Sequence, residues 1–475
     1  MNRAIAIIVI VLSVAETTAQ KELPDPIPWA ADRFLFGLEE RRPNVLPVLE
    51  RFRGDIDAVL REVERRQLRK QAASSGVLKD VHFSHPRHQA AYADDLLNIL
   101  VPDRYSPEKQ FGLLIFMHGG GPGTKREYAW AVIADPAKDR YSYGLRQYFT
   151  NSQFVVVAPS APWNEKSSAR WNLPETDRYI AAVIDECHYR FNIDRDRVFL
   201  GGQSMGGFGA YHLCQRLNDR LAGGVLYAGA WSSARWENMM GTPLFIRHGI
   251  NDAKPPGPDG KGGRPRYTDV FYAQSASRLL KKAGAEHVYF EDQGDHSIKA
   301  AGESVRALVK WMEKQKRDPY APRVIAQTPR GWKATTDTPT PHSRWITIHE
   351  TSEGTLPFDQ VQRTGPGPRW KESKESFEKQ GFKLGDRNVR AAKVDAVNHG
   401  DNRFTIKTRN VKRFSLWLHP KMVNFSKPIH LHLNGKDIAR TARPSLLDAL
   451  RSYQRREDWG LVYHAELVLD GDAPR

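Results

Sequence analysis

Ser204 lies in Gly202-Gln203-Ser204-Met205-Gly206-Gly207, directly after the apolar run Val198-Phe199-Leu200 and directly before a helical pattern. A strand that turns sharply into a helix would hold the serine at its apex in a strained backbone, with glycines where a Cβ would strike neighbouring main chain. Two further residues supply what such a hydroxyl needs to become a nucleophile. Asp252 follows the short apolar run Pro243-Leu244-Phe245-Ile246 through His248-Gly249, and His296 follows His287-Val288-Tyr289-Phe290 through Gly294-Asp295. Each member comes just past a strand, and the order Ser204, Asp252, His296 suits a base that takes the serine proton and a carboxylate that orients the base. Asp292 and Asp295 lie too close to His296 in sequence to approach the far ring nitrogen easily, so Asp252 is preferred. His118, His212 and His248 are set aside as bases. His118 belongs to a glycine loop, His212 lies on the helix after the serine, and His248 precedes the aspartate turn, where a structural hydrogen bond is the usual outcome.

That glycine loop is His118-Gly119-Gly120-Gly121-Pro122-Gly123, entered from the buried strand Phe111-Gly112-Leu113-Leu114-Ile115-Phe116-Met117. Glycines let backbone N–H groups face a developing oxyanion unobstructed, so Gly119, Gly120 and, just after the nucleophile, Met205 are the expected donors. With these residues, 90–318 resembles an α/β-hydrolase. Gly202-Gln203-Ser204-Met205-Gly206-Gly207 together with His248-Gly249 and Asp252 is similar to the polyhydroxybutyrate-depolymerase-like and feruloyl or acetylxylan esterase branch. The resemblance implies carboxylic ester hydrolysis through an acyl-enzyme, with no cofactor and no metal.

The elements that must position these residues follow from pattern. The sequence predicts an α/β-hydrolase sheet over 81–318, opened by strands at 81–84 and 96–101, with a strand at 154–158 and helices at 175–189 and 270–283. Before it, an N-terminal helical arm (20–80) carries one long helix, 45–73, whose Val45, Leu49, Phe52, Ile56, Leu60 and Val63 recur at helical spacing. A Pro/Thr-rich linker (319–341) leads into a β-rich, sandwich-like domain (342–475), with alternating strands at 345–348, 403–407, 414–418 and 429–433, a hairpin turn at Asn434-Gly435, a helix at 446–454 and a last strand at 461–469. All the triad residues precede the linker, so a chain ended near Asp318 is expected to keep hydrolysis of small esters. Trp163, Trp171 and Trp231, with Trp236, fall in loops past strand ends and are read as aromatic walls for a sugar or phenolic group. The basic loop 253–266 is a surface segment beside the acid. His430 and His432 share a strand face but lack further ligands at metal spacing, so they read as exposed polar positions.

Residues 1–19 read as a signal peptide, with a basic start at Arg3, an apolar stretch and Ala19 at the cleavage position, which places the protein outside the cytoplasm, secreted or periplasmic. No other stretch is apolar enough to span a membrane. The 71 Lys and Arg against 55 Asp and Glu leave a formal charge of +16, which attracts anionic surfaces; without a nucleic-acid motif in an exported chain, nucleic acid is not the expected partner. An ester substrate on a polysaccharide is, and cell-surface association stays open. Export permits a disulfide between Cys187 and Cys214; two buried helix-borne thiols are the alternative. Competing functions are a prolyl-oligopeptidase-like serine peptidase and an inactive carbohydrate- or surface-binding protein.

Overall fold

The computed structural model describes residues 26–67, 75–120, 124–160, 171–173, 175–231, 233–252, 268–298, 302–328, 342–363 and 382–471. The signal segment, Trp163, loop 253–266 and residues 329–341 of the linker lie outside the described residues.

Runs of residues that are apolar on both faces make the inner strands of the central sheet. Its strands are β1 (Gly76–His82), β2 (Leu96–Val101), β3 (Phe111–Met117), β4 (Phe154–Pro159), β5 (Ile193–Gln203) and β6 (Gly223–Tyr227). After the two-residue β7 (Ser233–Ala234), which joins another sheet, come β8 (Leu244–Gly249) and β9 (His287–Asp292). The spatial order is β1-β2-β4-β3-β5-β6-β8-β9, with β2 antiparallel to both neighbours and the rest parallel. Every residue of β3 and β4 is buried, as expected for parallel strands covered on both sides.

Helices α1 (Pro26–Phe36), α2 (Leu46–Arg51) and α3 (Ile56–Gln67) form the arm, and α4 (Arg146–Phe149), α5 (Thr176–Arg190), α6 (Met205–Arg216), α7 (Val270–Ala283) and α8 (Gly302–Lys314) flank the sheet. Alternate side chains of each strand serve opposite layers. Leu113, Ile115, Val198 and Leu200 pack with Val183, Leu213 and Leu279. Leu114, Phe116, Val156 and Phe199 pack with Phe149, Leu308 and Met312 on the other face. Cys187 on α5 and Cys214 on α6 are both free and buried, so the disulfide reading fails. No helix among the described residues is long and apolar enough to cross a membrane.

The C-terminal strands are β10 (Arg323–Thr328), β11 (His342–Ser343), β12 (Ile346–Thr351), β13 (Thr355–Arg363), β14 (Phe382–Arg390), β15 (Ala392–Asn398), β16 (Arg403–Arg409), β17 (Val411–Leu418), β18 (Ile429–Leu433), β19 (Lys436–Arg440) and β20 (Ala465–Asp470), with helix α9 (Leu446–Arg456) before the last. Sheets β10-β15-β16-β18-β19 and β11-β12-β17-β20 enclose one core, in which Val394, Phe404, Ile406 and Leu431 meet Trp345, Ile348, Phe414 and Leu416. Asn434 and Gly435 both take positive φ, 49° and 85°, which is the backbone a two-residue primed turn needs to join β18 to β19. His430 and His432 are exposed, and His432 Nδ1 pairs with Asp437 at 2.8 Å.

Three expectations need correction. The arm is not one helix: Phe52 turns extended, and α2 and α3 are separate. Its apolar side chains Phe34, Leu49, Val59 and Val63 pack with Leu446, Leu450 and Tyr453, so it docks on α9 of the C-terminal unit. The central sheet begins at Gly76, before the expected boundary, and the C-terminal unit begins with β10 inside the expected linker.

That unit is also fused to the sheet domain. β7 extends the β13–β14 hairpin, with Asp359 opposite Ala234 and Gln360 opposite Ser233. The Arg317 side chain is fully buried, and its guanidinium donates to Asp458 Oδ2 at 2.6 Å and to Asp196 Oδ1 at 3.0 Å, tying the end of the sheet domain to a residue past α9. Removing one partner of such a pair strands a buried charge, which costs about 3–5 kcal/mol. A chain ended at Asp318 therefore loses the cover of its own buried surface and is expected not to fold stably. Arg317→Ala should lower the unfolding free energy from urea titration by about 3–5 kcal/mol; a change below about 1 kcal/mol would contradict this account of the junction.

Candidate active site

At the C-terminal ends of β5, β8 and β9 the chain brings together the three residues singled out above. Ser204 follows β5 and caps α6 with φ 57° and ψ −118°, a conformation rare for a residue with a side chain. Glycine on either side permits it. A Cβ on Gly202 would lie 2.5 Å from the Gly206 carbonyl carbon, and one on Gly206 would lie 2.1 Å from the Met117 carbonyl oxygen. Ser204 N–H donates to the Tyr227 carbonyl at 3.0 Å, which locks the turn to β6.

His296 Nε2 stands 2.8 Å from Ser204 Oγ, and His296 Nδ1 stands 2.8 Å from each oxygen of Asp252. Asp252 has no exposure, whereas the His296 side chain keeps 29%. Burial alone would raise the carboxyl of Asp252, but hydrogen bonds from His248 and His296 outweigh it and hold the pKa down at about 2. An ionised Asp252 can only accept, so Nδ1 of His296 carries the proton and Nε2 is left to take one from the serine. His248 is the second support. Its Nε2 lies 2.7 Å from the Thr268 carbonyl and 3.1 Å from Asp252 Oδ2, so one N–H is shared between the acid and the backbone just past loop 253–266.

The nearby carboxylates have other tasks. Arg247, with no exposed side-chain surface, grips Asp292 in a bidentate pair at 2.8 and 2.6 Å and donates to the Asp295 carbonyl at 3.3 Å. Asp295 accepts from Ser297 N–H at 2.8 Å. Both therefore shape the turn that carries His296, and Gln203 completes it by donating to the His296 carbonyl at 2.7 Å. Gln203 and Arg247 were not foreseen as site residues; Gln203 stood inside the serine motif, and Arg247 was legible only as the last residue of a strand.

Around the glycine loop the structure differs from expectation. His118 Nδ1 donates to its neighbour's carbonyl, Gly119, at 2.7 Å, and burial pushes this imidazole down to about 4, so it stays neutral. Gly119 N–H is not directed at the serine; it donates to the Tyr143 hydroxyl at 2.7 Å. Gly120 takes φ 142°, and Met205 is the first residue of α6, where no carbonyl of the helix can accept its N–H. Gly121 lies outside the described residues. Trp171 and Trp231 are not walls of an open pocket. Trp171 has no exposure and donates from Nε1 to the His118 carbonyl at 3.0 Å, bracing the loop from beneath. Trp231 is 7% exposed and packs on His212, and Trp236 is buried as well. Among the described residues, an aromatic ring that stays exposed beside His118 is Tyr128, with centroids 5.9 Å apart.

Residues 114–372, more than half of the chain, match the model of the Alpha/beta hydrolase family, and the chain belongs to that family. Among curated proteins it is 24% identical over 196 residues to a bifunctional acetylxylan esterase/xylanase, XynS20E, of Neocallimastix patriciarum, covering 40% of this chain and 26% of that one. It is 24% identical over 142 residues to dipeptidyl-peptidase 5 of Porphyromonas gingivalis, covering 28% and 19%. The chain thus spans about a quarter or less of the length of these relatives. Among solved structures, a CE1 ferulic acid esterase from Anaeromyces mucronatus aligns over 53% of this chain and 94% of its own, with 14% identity and a TM-score of 0.37.

The depressed pKa of Asp252 is also a stability statement. A carboxyl that titrates near 2 when folded, against 3.8 otherwise, contributes stability that is complete above about pH 4 and lost as pH falls toward 2. Unfolding free energies measured between pH 5 and 2 should therefore fall more steeply for the parent than for Asp252→Asn, by about 2 kcal/mol over the interval. Parallel curves would contradict the assigned hydrogen bonding.

Proposed function

We propose that the chain is a serine hydrolase that cleaves carboxylic esters through an acyl-enzyme. The observation that carries this reading is the continuous hydrogen-bonded series from Ser204 Oγ through the His296 ring to Asp252. Ser204 Oγ attacks the acyl carbon while its proton passes to His296 Nε2, and Asp252 stabilises the imidazolium that results. The tetrahedral oxyanion is met by the N–H groups of Met205 and Gly120. Collapse expels the alcohol, protonated by His296, and water then repeats the sequence on the acyl-enzyme with the ring again as base.

Ester substrates are favoured because an alkoxide leaving group needs less protonation than an amine, which a part-exposed, loop-borne histidine supplies readily. A carbohydrate-linked ester, acted on outside the cytoplasm, is the narrower reading, supported by the signal-like first 19 residues and by the acetylxylan esterase among the relatives. A peptidase is the second reading, favoured by the dipeptidyl-peptidase relative.

Substrates compared side by side separate them: p-nitrophenyl acetate, methyl ferulate, acetylated xylan, a long-chain p-nitrophenyl ester and a proline-containing peptide amide. The short esters and the xylan should lead by kcat/KM. A lead for the peptide amide would replace the esterase reading, and a lead for the long-chain ester would remove the carbohydrate one. Asp252→Asn should lower kcat about 10⁴-fold by favouring the wrong ring tautomer. Because hydrogen bonds hold Asp252 ionised down to about pH 2, Asp252 should add no step to the acid limb of kcat/KM of the parent, whose slope should not exceed one as pH drops to about 4. A slope of two in that range would mean that a second group must also be deprotonated.

A further inference from the structure

Tyr143 lies in the segment between the 3₁₀ turn Arg126–Val132 and α4, twenty residues past the end of the glycine loop, and nothing in its local sequence marks it. Its backbone N–H is fixed to the Ala131 carbonyl at 2.8 Å, and its ring meets Phe116 edge-on with centroids 6.3 Å apart. The hydroxyl is thereby set against Gly119. A Cβ built on Gly119 would lie 2.6 Å from Gln203 Oε1, 3.0 Å from the Tyr143 oxygen and 3.1 Å from Ser204 Cβ, so the phenol, the Gln203 amide and the Cβ of the serine all border the bare glycine. The oxygen accepts the Gly119 N–H at 2.7 Å. Its own proton has no acceptor among the described residues, and burial pushes the phenol's pKa up, so that proton stays in place.

We infer that Tyr143 is a catalytic residue that donates a hydrogen bond from its hydroxyl to the oxyanion formed on Ser204, with Gly119 N–H behind it. The inference rests on the acyl-transfer reading above. No proton leaves the phenol: the O–H lengthens its bond toward the negative oxygen, and the Gly119 N–H bond, strengthened by the same polarisation, offsets charge that builds on the phenolic oxygen. The hydrogen bond forms as the carbonyl oxygen becomes anionic, so its loss should appear in kcat more than in KM. The bare Gly119 is part of the device, since any side chain there would separate the phenol from the serine.

Removing one donor of this kind typically costs 10²–10³-fold in kcat. Tyr143→Phe is therefore expected to lower kcat on p-nitrophenyl acetate about 10²-fold with KM changed less than about threefold. A second variant separates donation from simple support of the loop. Replacing Tyr143 by 3-fluorotyrosine makes the phenol a better donor and a poorer acceptor, so kcat at pH 7 should hold or rise if the hydroxyl serves the oxyanion. It should fall if the hydroxyl only holds Gly119. A Tyr143→Phe enzyme within threefold of the parent kcat, or a fluorotyrosine enzyme slower than the parent, overturns the inference. Ser204→Ala is the control for the underlying reading: if it keeps activity, acyl transfer at Ser204 is wrong, and if it is dead while Tyr143→Phe is normal, only the role of Tyr143 is.

Discussion

Everything at the site depends on one close approach: the backbone of Gly206 lies against the carbonyls of Met117 and His118, and that of Gly202 against Gly206. No Cβ fits at either contact, so the start of α6 can sit directly on the end of β3, and only then does the glycine loop come level with Ser204. The left-handed backbone of Ser204 is the consequence. Such strain costs about 1–3 kcal/mol and persists where the surroundings over-determine it. Here β5 is locked between β3 and β6, and both are buried on every residue.

Given that turn, catalytic order is a matter of giving each polar group one task. Three aspartates lie around His296, and only Asp252 reaches its ring, because Arg247 claims Asp292 and the backbone of Ser297 claims Asp295. Arg247 also keeps the site electrically balanced, pairing a buried cation with a carboxylate that would otherwise raise the cost of a second anion beside Asp252. On the other side of the serine, the His118 ring is neutral and occupied, Trp171 holds the His118 carbonyl, and Tyr143 holds Gly119. His118 and Gly119 are therefore held by side chains from two other segments of the chain.

That Ser204, Asp252 and His296 come together was legible because each is announced by a strand: an apolar run, then a turn, then the residue. Periodicity likewise placed the elements Val270–Ala283 and Ile429–Leu433 with their bounds. What escaped has no local pattern. Whether a loop tryptophan is open depends on what folds over it, and Trp171 and Trp231 are covered by elements far away in sequence. The junction with the C-terminal unit draws on single residues, Arg317 and Asp458 among them, and on a two-residue strand, so a proline-rich stretch read as a linker hid a fused boundary. Tyr143 belongs to the same group: its partner is a glycine N–H, which leaves no trace in composition or spacing.

The central claim is that Ser204 is the residue made nucleophilic by this arrangement. The most direct measurement is to treat the folded full-length chain with a fluorophosphonate and map the modified residue by peptide mass spectrometry, with His296→Ala alongside. The account predicts one stoichiometric adduct, on Ser204, formed far more slowly in the histidine variant. Labelling at another residue, no labelling of folded protein, or equal rates in the two proteins would contradict it.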